Sequence, residues 1–64
     1  MRIYQARVKA GLTQESLSKI LGISRSAVAM WETGKSKPRA DMLLKLAEIF
    51  GCTVDELLRS DAGN

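Results

Sequence analysis

Gln14-Glu15-Ser16-Leu17-Ser18-Lys19-Ile20-Leu21, then Gly22-Ile23-Ser24, then Arg25-Ser26-Ala27-Val28-Ala29-Met30-Trp31-Glu32-Thr33 reads as two helical segments only three residues apart. Thr13 and Ser24 stand directly before the two segments. There a side-chain oxygen can accept an amide N–H that the first helical turn leaves unbonded. Leu12 pairs with Leu17, and Ile23 with Val28, at hydrophobic-staple spacing. Gly22 and Gly34 follow the two segments, where a left-handed residue closes a helix. Gly22 lets the chain turn sharply, Ile23 plugs the angle, and Ser24 starts the next helix. A three-residue turn with glycine between two short helices is a helix-turn-helix connection.

The same punctuation continues outward. Thr53 is a third N-cap, with Cys52 and Leu57 as its staple and Glu56 completing a capping box. Gly11 and Gly51 mark two further helix ends. Leu43, Leu46, Ala47 and Phe50 fall on one helical face. Pro38 bars helix just before that segment, Arg39 is a weak cap, and Asp41 favours the first-turn dipole. No stretch alternates with period two. The pattern predicts helices over 2–10, 14–21, 25–33, 40–50 and 54–59, an all-α compact five-helix bundle spanning 1–59, with a frayed tail at 60–64.

Sixty-four residues make one domain, whose stability is marginal unless it packs well or dimerises. No run of about 18 apolar residues could cross a membrane, and Met1 to Gln5 is no secretory signal. The single Cys52 cannot form an internal disulfide, which fits a reducing cytoplasm. It reads as a small packing residue. Histidine is absent, and with it the commonest general base and metal ligand. No phosphate-cradling glycine loop is present. The expectation is therefore no catalytic residue, no metal, no cofactor and no small-molecule substrate.

Charge is unevenly placed. Residues 1–39 hold eight Lys/Arg and two acids, whereas 40–64 hold two Lys/Arg and five acids. A basic half suits nucleic acid, although charge alone reads equally as a solvated surface. The helix over 25–33 adds detail. Val28 and Trp31 face inward by phase, with Ala27 nearby; Arg25, Ser26, Ala29 and Met30 face out, without a carboxylate. An exposed face usually carries several Glu and Lys. This one, flanked by Lys19, Lys35 and Lys37, can enter a major groove without repulsion. Arg25 and Ser26 lie in the first turn, the part that reaches base edges. Arg grips guanine, Ser bonds either base type, and Met30 can meet a thymine methyl. Alone, Arg25 and Met30 would read as surface filling; the turn before them favours groove contact.

At this point the chain resembles a known family. Leu12-Thr13-Gln14-Glu15-Ser16-Leu17, Leu21-Gly22-Ile23-Ser24-Arg25, Trp31-Glu32-Thr33-Gly34-Lys35 and Lys37-Pro38 are similar to the Cro/C1-type (Xre) helix-turn-helix of phage repressors. The run from Leu46 to Leu58 fits it too, so the resemblance covers residues 3–58. It implies a lambda-repressor-like bundle that binds a double-stranded DNA operator as a homodimer, in a bacterial or phage nucleoid-associated, cytoplasmic setting. By position, Gln14 matches the family's phosphate-contacting residue; Arg25, Ser26 and Met30 match its base readers, with Ser24 at their edge. Thr33, Lys35 and Lys37 match its backbone-contacting loop, joined by Arg39. Met30 stands where many relatives have a polar residue, and Arg39 replaces a common serine cap.

Ile3, Arg7 and Ala10 share a face of the first helix. If that face packs inward, Arg7 needs a partner. Glu32 is the only acid in residues 16–40, and the resemblance pairs the two positions. An Arg7–Glu32 ion pair, structural and free of DNA, is expected. Tyr4 is left for the surface. The expected function is sequence-specific DNA binding by a transcription regulator, a repressor reading a palindromic operator through 25–33. The alternative is a protein-interaction module, an antitoxin or antirepressor, for which the Leu-rich acidic end at Leu57 and Leu58 is either the partner surface or the dimer seam.

Overall fold

A computed structural model describes residues 1–59, and the expected tail at 60–64 lies outside the described residues. Five helices follow in order: α1 (Ile3–Lys9), α2 (Gln14–Leu21), α3 (Arg25–Thr33), α4 (Ala40–Phe50) and α5 (Val54–Leu58). Among the described residues there is no strand, and no helix is long and apolar enough to cross a membrane. α2 packs most extensively on α3 and α4 on α5, while α1 touches both α3 and α4.

Each helix starts where its first turn can be satisfied. Thr13, Ser24 and Thr53 all sit in extended conformation and accept from the amide three residues on. Thr53 and Glu56 form the reciprocal box. Thr13 forms a second one with Ser16, whose hydroxyl accepts from the Thr13 amide at 2.8 Å. Arg39 caps α4 without a side-chain bond. The Glu56 carboxyl is held below its ordinary value, first by the Thr53 amide and then by the Thr53 hydroxyl.

The core is Ile3, Leu17, Val28, Leu46, Ala47 and Leu57, with Leu12, Ile23 and Cys52 among the residues packed against it. The first residue of each staple thus packs against the core to which the second belongs. Burial also holds the Cys52 thiol above its ordinary value, with Glu56 adding to the shift, so it is a poor thiolate near neutral pH. A backbone bond from the Arg2 amide to the Leu57 carbonyl, 2.9 Å, joins the two ends of the bundle.

Two expectations are corrected. Ala10 is exposed rather than inward, because α1 stops at Lys9 and Ala10 enters the turn. Leu57 is 1% exposed and belongs to the core, so only Leu58 of that pair faces outward.

The bend between α2 and α3 rests on Gly22, at φ 71° and ψ 33°. A Cβ added there would touch nothing within 4 Å. Substitution should therefore cost only the left-handed backbone penalty. We expect Gly22→Ala to lose about 1–2 kcal/mol in urea denaturation, and Gly22→Asn, which tolerates that region better, to lose less. Equal losses for the two would point to a steric cause that the backbone does not contain.

Candidate nucleic-acid interface

The turn presents α3 with one side in and one side out. Val28 is fully buried and Trp31 half-buried, whereas Arg25, Ser26, Met30 and Thr33 are exposed. Ala29 lies between them, half-buried. The outer face carries no acid, since the one carboxylate on α3, Glu32, turns inward with a side chain 7% exposed. Ser24 does two jobs. Its oxygen accepts from the Ala27 amide at 3.1 Å, and its hydroxyl hydrogen is still free to donate.

The segment after α3 folds back on the helix it leaves. Gly34 takes φ 82°, and the amides of Lys35 and Ser36 both donate to the Met30 carbonyl, at 3.0 and 3.3 Å. The Thr33 hydroxyl donates to the same carbonyl at 3.3 Å. Lys35 therefore leaves from a fixed turn beside Met30. Among the described residues, Arg25, Lys35 and Lys37 make no ion pair, and all three are exposed. Arg39 lies 3.4 Å from Asp41 and Lys19 3.4 Å from Glu15, both exposed pairs of little strength that an anion can outcompete. The structure thus brings Arg25, Ser26, Met30 and Thr33 onto one helix face, with Ser24 at its start and Lys35 at its end.

Beneath this face lies a buried polar cluster. Arg7 Nε donates to Glu32 Oε2 at 2.6 Å and Nη2 to Oε1 at 3.3 Å. Nη1 donates to the Leu12 carbonyl at 2.8 Å. Gln14 Nε2 donates to Glu32 Oε1 at 2.9 Å. The hydrogen bond that Arg7 donates to Glu32 holds the guanidinium above its ordinary value, outweighing the opposing effect of burial. Arg7 also lies 5.3 Å from the centre of the Tyr4 ring, which is itself exposed. Gln14 is half-buried, and its place in this cluster gave no sign in the sequence. Among the described residues, no three His, Cys, Asp or Glu side chains converge as metal ligands would.

Comparison with known proteins agrees with this geometry. A family model described as helix-turn-helix matches residues 3–57. An HTH-type transcriptional activator of Enterococcus faecalis, BcrR, is 38% identical over 60 residues, covering 94% of this chain and 29% of its own. Repressor protein C2 of a Salmonella phage is 35% identical over 60 residues, covering 94% of this chain and 28% of its own. The chain therefore spans under a third of either relative. It spans 86% of an HTH-type transcriptional regulator of Archaeoglobus fulgidus, at 35% identity. No solved structure is a significant match.

Removing one partner of the buried pair leaves the other charge without compensation. We expect Arg7→Met to cost about 3–5 kcal/mol, enough to unfold much of so small a domain. Arg7→Met combined with Glu32→Leu should recover most of it, because an apolar pair carries no desolvation cost. Urea midpoints for the three proteins check this; an Arg7→Met protein as stable as wild type would refute it.

Proposed function

The chain belongs to the Cro/C1-type helix-turn-helix family of DNA-binding transcription regulators, and on that premise we propose that it is a sequence-specific repressor whose α3 enters the major groove of a palindromic operator. The observation that carries this reading is the outer face of α3: Arg25, Ser26 and Met30 are exposed, the face is free of carboxylate, and Arg25 in the first turn has no ion pair among the described residues. Ser26 beside it and Met30 one turn on complete that face. Arg25 is the guanine reader, Ser24 and Ser26 donate to base or sugar edges, and Met30 packs on a thymine methyl.

Gln14 and the first amides of α2 meet one phosphate, while Thr33, Lys35, Lys37 and Arg39 meet the backbone on the other side of the groove. One helix reads only a few base pairs. A homodimer placing two copies of α3 about 34 Å apart, one helical turn of DNA, doubles the site and makes it two-fold. Leu44 and Leu58, 62% and 51% exposed on the acidic helices α4 and α5, are the surface we assign to that contact. Repression asks only that the operator be occupied, whereas activation asks for a further contact. The place of action is the cytoplasm, where the DNA lies.

Selection of bound sequences from random duplex DNA tests this most directly, since it reports binding, site and symmetry together. On the selected site, Arg25→Ala should cost about 1–3 kcal/mol and relax the preference at one base pair. Lys35→Ala should instead weaken binding to every sequence and lower the slope of log affinity against log salt by about one. Equal losses on selected and random DNA for both variants would remove these roles.

A further inference from the structure

The side-chain amide of Gln14 has two N–H bonds, and the structure gives one of them an acceptor, Glu32 Oε1 at 2.9 Å. Among the described residues the other N–H and the amide oxygen have no partner, and the side chain is only half-buried. Gln14 is the first residue of α2, and Glu32 the penultimate residue of α3. One bond therefore ties the start of the helix that faces phosphate to the far end of the helix that faces bases. The carboxylate is itself fixed. Arg7 grips both its oxygens, and the Leu12 carbonyl, just before the cap of α2, fixes Arg7.

Arg7 also cancels the charge of Glu32. A bare carboxylate behind Gln14 would repel a phosphate in front of it. With Arg7 in place, Gln14 is offered a directed acceptor with no net charge. We propose that Glu32 is a positioning residue for DNA binding: it touches no DNA, and by holding one N–H of Gln14 it aims the other at the phosphate met by the start of α2. This rests on the interface described under the proposed function. A glutamine on an open surface spreads over many rotamers, and a ligand that orders it loses affinity to that ordering. Here the ordering is complete before DNA arrives. The charge-assisted bond also polarises the amide and strengthens the remaining donor.

Four proteins of equal net charge test the idea: wild type, Gln14→Leu, Arg7→Met/Glu32→Leu, and all three changes together. Binding is measured on the selected site and on a random-sequence duplex. Gln14→Leu should weaken both by the same factor, about three- to tenfold, because a phosphate carries no sequence. Arg7→Met/Glu32→Leu should lose a similar factor while remaining folded. Adding Gln14→Leu to it should then change affinity by less than about twofold. The salt slope should be the same for all four proteins.

Independent, additive losses overturn the proposal, as does a Gln14→Leu protein that binds as wild type. A readout on the wild-type protein alone covers the case of a poorly folded variant. By NMR relaxation, the Gln14 side-chain amide should already be ordered without DNA and change little on adding the random-sequence duplex. Ordering that comes only with DNA also overturns it. Wild-type protein that binds no DNA sinks the interface itself and this inference with it; wild-type binding with additive variants sinks only this inference.

Discussion

A single carboxylate lies where three helices meet, and the arrangement of the whole interface depends on it. Glu32 takes hydrogen bonds from Arg7 of α1 and Gln14 of α2 while standing on α3. These helices also contribute Ile3, Leu17 and Val28 to the core, and apolar contact is indifferent to small slips and rotations. Directional bonds are not. Removing both charges from water is expensive, and an apolar pair of the same size commonly gives equal stability. What the charged pair adds is a fixed relation between the start of α2 and the far end of α3.

That relation explains why so short a helix as α3 can serve two purposes. One side must feed a core in which few residues are fully buried, and the other must stay open. Val28 carries the first requirement almost alone, with Trp31 half-buried behind it. Because the inner side is settled by one β-branched residue and one ion pair, the outer positions 25, 26 and 30 are free of packing duties. The turn after α3 extends the same economy: one carbonyl, that of Met30, anchors Thr33, Lys35 and Ser36.

Most of this fold is written in local signals. Caps at Thr13, Ser24 and Thr53, each with an apolar staple, place three of the five helix starts to the residue, because both devices act within one turn. The box at Thr13 was hidden because serine, rather than Glu or Gln, returns the bond at the third position. α1 is shorter than its pattern suggested by one residue at each end: Arg2 is its N-cap and Ala10 its C-cap. Of the neighbours Leu57 and Leu58, the staple with Cys52 marks Leu57 as the inward one, and it is Leu57 that lies in the core. For the site, helical phase was enough to expose Arg25, Ser26 and Met30. The bond between Gln14 and Glu32 was not legible, because it joins residues 18 apart in the chain and no periodicity encodes such a distance.

The bond from the Arg2 amide to the Leu57 carbonyl has a consequence of its own. A bundle whose beginning and end are fastened together can be spliced into a host polypeptide without pulling itself open, and joining its ends by a short link would strain nothing. Such a unit is portable: neighbouring protein can be attached, removed or exchanged while α3 keeps its setting. Relatives that range from little longer than this chain to more than three times its length are what portability of that kind permits.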